Sequence, residues 1–242
     1  MFTNIITITK IMMKYAKSNP WFYLFSVIFL PVSILTPLVL LVDRVYWVNV
    51  FVGSAVCSTT IMTIPDLSDA ISHDKYTNAL SFFITRPIRV IEYIIGMGLG
   101  TLFYNIAGVS TILIIGYLFL DLNLTIVQIV PFFIVVFLGW SISCSIGFTI
   151  GMWGPRDPRM NVSIASIVAY SLTFLVPVYY PIEVLPSFAQ KIMYCFYTTH
   201  LALIGKSIVR NTPIATFNMA VIALYLIVVL IFDFRVLRWK EI

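Results

Sequence analysis

DLSDAISHDKYTNALSFFITRPIR, residues Asp66–Arg89, is the longest polar interruption between two long apolar runs. It ends in Arg86-Pro87-Ile88-Arg89, and the segments on either side have the length and composition of membrane spans. A polar stretch flanked in this way is expected to fold as one or two short helices lying under the bilayer on its cytosolic side. It is the kind of surface through which a soluble partner acts on a membrane-embedded chain.

The flanking runs place the chain among polytopic membrane proteins. Sixty per cent of its 242 residues are hydrophobic, 10% are charged, and the mean hydropathy is +1.00. Soluble domains carry roughly 25% charged residues. With ~20 apolar residues per crossing, the expected spans are Trp21–Val42, Tyr46–Ile64, Val90–Leu120, Leu124–Trp153, Met160–Val178 and Ile214–Phe234. Residues 1–242 then form a single transmembrane domain, and any energy-coupling enzyme is expected to be another chain.

Placing the N-terminus in the cytosol puts Lys10, Lys14, Lys17, Lys75, Arg86, Arg89, Arg156, Arg159, Arg235, Arg238 and Lys240 inside. Only Arg44, Lys191, Lys206 and Arg210 fall outside. This asymmetry satisfies the positive-inside rule. It also accounts for the net charge of +5, so no nucleic-acid partner is implied. The run after Lys17 is long enough to span and no small-residue cleavage site follows it, so Trp21 is expected to open a mature helix and not a signal peptide. Cys57, Cys144 and Cys195 are odd in number and scattered in or beside apolar runs, which argues against a disulfide framework or a metal site. They read as small hydrophobes.

Residues 3–18 read as an interfacial helix. Lys10, Lys14 and Lys17 recur at i, i+4 and i+7, while Ile5, Ile8, Met12 and Tyr15 occupy the rest. A charged leader that merely orients the first span is the plainer alternative. Pro31 and Pro37 imply kinks in that span, and the short turn at Asp43-Arg44 implies a hairpin with the next. Gly96 and Gly100, and again Gly147 and Gly151, form GxxxG pairs that let helix backbones approach closely. Packing within the chain is preferred over a dimer seam. Gly154-Pro155-Arg156-Asp157-Pro158-Arg159 is a tight cytosolic turn, with contact to a cytosolic partner as the sharper reading. Residues 177–213 are aromatic and proline-rich but too polar for a continuous span. They are expected to dip into the outer leaflet and return, with Glu183, Lys191, His200, Lys206 and Arg210 as solvated interfacial groups.

Enzyme signatures are lacking. Gly205-Lys206-Ser207 has the ending of a phosphate-binding loop, but the glycine required five residues before Gly205 is His200. No HExxH or GxSxG occurs. Asp66 and Asp69 form a DxxD pair of the kind that holds Mg²⁺ in membrane transferases, yet no second acidic motif accompanies it. Charge inside the spans is scarce, with Glu92 and Asp233 near span ends, which disfavours an ion-coupled carrier.

The chain resembles the membrane subunits of ABC exporters of the ABC-2 type over almost its whole length. After the second span, Asp74-Lys75, Thr77-Asn78-Ala79-Leu80, Phe82, Phe83, Arg86-Pro87-Ile88 and Gly96 are similar to the family's acidic-basic pair, amphipathic helix and proline before the third span. The glycine that commonly precedes the threonine is missing. Pro181-Ile182-Glu183-Val184-Leu185-Pro186, followed by Gln190 and Ile192, is similar to the signature after the fifth span. Lys206 or Arg210 stands where an arginine is often seen, and a proline usual near Tyr197-Thr198 is absent.

This resemblance implies an all-α polytopic fold of six transmembrane helices, with an interfacial N-terminal helix, a cytosolic coupling helix over 66–89 and outer re-entrant helices over 177–213. It implies a permease subunit that pairs with an identical or homologous subunit in the cell membrane, both termini cytosolic, and binds no cofactor itself. Separate cytosolic ATPase subunits carry ATP and Mg²⁺, and a drug, lipid or peptide is exported. Asp66, Asp69, Asp74, Lys75, Leu80, Phe82, Phe83 and Arg86 are the expected ATPase-coupling residues. Phe25, Phe29, Phe51, Tyr170 and Phe174 are expected along the path, beside Trp21 and Trp47. Pro181, Glu183 and Pro186 mark the outer re-entrant segment. An ion-coupled secondary carrier, a membrane transferase and a non-transporting membrane regulator are the alternatives.

Overall fold

The computed structural model describes residues 2–18, 20–79 and 88–236, and among these the chain is all-α, without a strand. The order is α1 (Phe2–Ser18), α2 (Pro20–Leu24), a π-helical turn (Phe25–Phe29), α3 (Leu30–Leu41), a 3-10 turn (Arg44–Tyr46) and α4 (Trp47–Tyr76). Then come α5 (Val90–Phe119), α6 (Ile126–Trp153), α7 (Pro158–Phe174), a second 3-10 turn (Ile182–Val184), α8 (Ser187–Met193), α9 (Tyr197–Val209) and α10 (Thr216–Val236). Leu80, Phe82, Phe83 and Arg86, expected to couple to an ATPase, lie outside the described residues.

Helix α4 is the hub, packed by α3, α5, α6, α7 and α9. Every residue from Asn49 to Ile64 is buried. Small side chains make this possible. The hydroxyls of Thr59 and Thr60 donate to the carbonyls of Ala55 and Val56 one turn back, at 2.8 and 2.9 Å, so they are satisfied inside the helix while neighbours pack against it.

The helix does not stop where the sequence turns polar. It runs through Pro65 to Tyr76, where short helices under the bilayer were expected from Asp66 onward. The reason is periodicity. Leu67 and Ile71 are fully buried while Asp69, His73 and Tyr76 are exposed, so the polar stretch is an amphipathic extension of the same helix. Thirty residues at 1.5 Å each reach ~45 Å. The bilayer's hydrocarbon is ~30 Å thick, so α4 projects well beyond it.

Helix α4 together with its 3-10 turn, α5, α6 and α10 are each long and apolar enough to cross a membrane, four helices among the described residues. A fifth is present if α8 and α9, bent by 95° at their break, count as one broken span. With apolar outer faces on α5 and α10, at Ile114 and Leu118 and at Leu224 and Ile227, these helices mark a membrane-spanning protein. Two expected spans take other forms. The first is interrupted: Pro31 has no N–H to donate, and one turn earlier the ladder widens so that the N–H of Leu30 donates to the Phe25 carbonyl. The fifth is α7, whose 17 residues reach only ~26 Å.

The glycine pairs pack within the chain. A Cβ on Gly96 would stand 2.7 Å from Ile8 Cβ, and one on Gly147 would stand 2.8 Å from the Ile64 carbonyl oxygen. Gly96 and Gly100 thus seat α1 on α5, and Gly147 and Gly151 seat α6 on α4. Polar bonds hold the first seam. Asn4 Nδ2 donates to Glu92 Oε2 at 2.9 Å, and Thr9 Oγ1 lies 3.1 Å from the Gly96 carbonyl. Ile8 and Met12 face inward while Lys10 and Lys14 are exposed, so α1 is amphipathic as its sequence predicts.

Candidate functional site

Three groups of residues were singled out by sequence, and the structure places each differently. At the far end of α4, Asp74 and Lys75 turn inward. Tyr93 Oη donates to Asp74 Oδ2 at 2.7 Å, joining α4 to the start of α5, and Asp74 is 7% exposed. Lys75 Nζ donates to the Met152 carbonyl at 2.6 Å, with those of Gly154 and Gly151 at 3.3 and 3.4 Å. The last carbonyls of a helix have no partner inside it and carry its negative dipole end, so an ammonium there is doubly favoured. Of the residues expected to meet an ATPase, Asp74 and Lys75 therefore direct polar atoms to the fold.

What this end offers to solvent is a different set. Asp69, Arg89, Arg156, Asp157 and Arg159 are exposed, with Tyr76 beside them. Asp157 is fixed by its own work, since its carboxylate accepts from the Arg159 N–H at 3.0 Å and caps α7 with Pro158 next in line. Asp66 is half-buried. Among the described residues no three His, Cys, Asp or Glu side chains gather to hold a metal ion.

The aromatic residues, the second group, fall in two sets. Phe25, Phe29, Tyr170 and Phe174 are each about half exposed. Phe25 stacks on Phe29 with centroids 4.6 Å apart, Tyr170 lies 6.0 Å from Phe174, and Phe174 continues to Tyr179 at 6.2 Å. Behind them one apolar cluster links α3, which follows the π turn, to α7: Leu30 and Ile34 of α3, and Ala165 and Ala169 of α7, pack around Cys57 and Ile61 of α4. Trp21 is exposed as well. Phe51 does not join them. It is fully buried, stacked on Phe132 at 5.5 Å and packed against Gly116, because it sits on the wholly enclosed part of α4.

The third group lies at the opposite end of α4. Lys206, 7% exposed, donates to the Tyr180 carbonyl at 3.2 Å, and Arg210 Nη2 donates to Asn49 Oδ1 at 3.0 Å. Pro181, Glu183, Lys206, Ser207 and Arg210 line a cavity of about 130 Å³ with Asn49. Glu183 and Pro186 are exposed. His200 is fully buried instead of solvated, its Nε2 donating to the Tyr194 carbonyl at 2.9 Å with Asn218 at 2.9 Å from Nδ1.

Sequence reasoning missed Asn49 and Ser145. Asn49 was legible as the single amide in an apolar run, whereas Ser145 gains meaning only through its fold partner: its hydroxyl lies 2.7 Å from both carboxylate oxygens of the buried Asp233. No family model matches the chain, and no curated protein matches it.

Proposed function

We propose that the chain is the transmembrane permease subunit of an ABC-2 type exporter. Two such subunits, identical or homologous, would enclose a path between them, powered by cytosolic ATPase subunits that carry ATP and Mg²⁺. The six-span layout then takes α2 through α3 as the first crossing and α7 as the fifth, with α8 and α9 as outer re-entrant helices. Both termini face the cytosol.

The observation that supports this most is a pair of uncharged aromatic faces, one on the π turn and one on α7. Residues 20–41 contain no charged side chain, and α7 has none beyond its first turn. The half-exposed rings of Phe25, Phe29, Tyr170 and Phe174 are large, uncharged and backed by a buried hub. Such a surface suits an amphipathic or lipid-like cargo. The coupling surface consists of Asp69, Tyr76, Arg156 and Arg159, with Asp74 and Lys75 holding it in shape.

The test is co-purification of the tagged chain in mild detergent with a candidate ATP-binding cassette subunit, read out as vanadate-sensitive ATP hydrolysis. A stable hydrolysing complex is expected. If the chain purifies alone and no ATPase binds it, the reading is wrong. The buried Asp233 then favours an ion-coupled carrier, for which ion-gradient transport in liposomes is the assay.

A further inference from the structure

We infer that the cavity at the Asn49 end of α4 binds a phosphate group through Lys206, Arg210 and the Asn49 amide. Asn49 is 1% exposed, and its Nδ2 has no hydrogen-bond partner. A buried amide left unpaired costs about 1–3 kcal/mol, so a native one points to a missing acceptor. Its orientation is set by Arg210: because the guanidinium donates to Oδ1, the N–H groups must point elsewhere, and Asn49 lines the cavity.

The cations there are not consumed as helix caps. Gln128 Nε2 donates to the carbonyls of Ile208 and Val209 at 3.3 and 3.1 Å. The N–H groups of Arg210, Asn211 and Thr212 take those of Lys206, Ile208 and Ser207. With the end of α9 satisfied, Lys206 keeps donors beyond its one bond to Tyr180, and Arg210 keeps donors beyond Asn49. Ser207 lines the same cavity. Two cations face one carboxylate, Glu183, at the rim.

Donors in excess, with two positive charges, favour an oxyanion such as phosphate. Water occupies about 30 Å³ in the liquid, so the cavity, at about 130 Å³, has room for one phosphate group. Arg44 stacks over Trp47 at 5.1 Å two residues before Asn49, an arrangement suited to the headgroup layer. The phosphate comes either from a phospholipid headgroup or from solution. The inference is independent of the exporter reading.

The full chain, purified in a neutral detergent, is to be titrated with phosphatidylglycerol, with diacylglycerol as the phosphate-free lipid, and with inorganic phosphate against chloride at equal ionic strength. Thermal stability and retained lipid by mass spectrometry are the readouts. Protection by phosphatidylglycerol but not diacylglycerol is expected, and Arg210→Gln should weaken it roughly tenfold, one charge-assisted hydrogen bond. Protection by phosphate alone also supports the site and assigns its source to solution. Asn49→Leu, which removes an amide already half unpaired, is the second variant should Arg210→Gln fail to fold. The proposal is overturned if neither phosphate source protects, if diacylglycerol protects equally, or if both variants keep full protection.

Discussion

Lys75 illustrates how a single side chain decides what a mutation can report. Its ammonium collects the carbonyls at the end of α6, and Tyr93 occupies Asp74 alongside it. Charge reversal at either residue therefore acts on folding before it acts on any partner. Lys75→Met should lower stability by about 1–3 kcal/mol, the range for losing hydrogen bonds to a charged group, whereas Lys75→Arg should recover part of it. Tyr93→Phe should cost a similar amount, because it leaves the buried Asp74 carboxylate without its donor. Thermal unfolding of the purified variants in detergent measures this, and an unchanged midpoint in Lys75→Met would show that the carbonyl contacts contribute nothing. Docking is better probed at Asp69, Arg156 and Arg159, whose charges face solvent.

At the level of elements, the helix seams set the tolerances. Gly147 meets the Ile64 backbone, and a methyl at 2.8 Å from a carbonyl oxygen forces α6 away from α4, so Gly147→Ala should destabilise by about 1–3 kcal/mol. Gly98, in α5, would meet Cys144 Sγ at 3.4 Å, an ordinary contact, and Gly98→Ala should be neutral or stabilising by up to ~1 kcal/mol through helix propensity. Equal effects at the two sites would remove the packing argument. These seams, α1 with its inward Ile8 and Met12, and the spans α5, α6 and α10 were legible in the sequence because spacing and apolar length are local properties. The extension of α4 past Pro65 was not. Polarity after Ile64 looks like an exit from the membrane until Leu67 and Ile71 are seen to follow the same face. Nor were the partners of Asp74, Lys75, Asn49 and Asp233 legible, since each hydrogen bond joins residues 19 or more apart in the chain.

For the molecule as a whole, the proposed pairing with a second subunit raises the question of which face it uses. Helices α5 and α10 present long apolar surfaces suited to lipid, Phe103, Phe119 and Phe217 among them, whereas the π turn and α7 present their rings on an interrupted helix and a short one. Pro31 accounts for the break, and a path between subunits would give it a use: a π turn displaces side chains from the regular ladder and recurs at functional sites. If the interface lies there, single cysteines at Phe29 or Phe174 should cross-link two copies of the chain, or the chain with a homologue, in native membranes. Cys57 and Cys144 are buried, so only Cys195 must first be replaced to silence the background. Leu118 of α5 and Ile227 of α10 serve as lipid-facing controls. Cross-links at Phe29 and Phe174 that are absent at Leu118 and Ile227 would fix the aromatic surface as the subunit seam. The opposite pattern would move the seam to α5 or α10 and leave the rings of the π turn to the lipid.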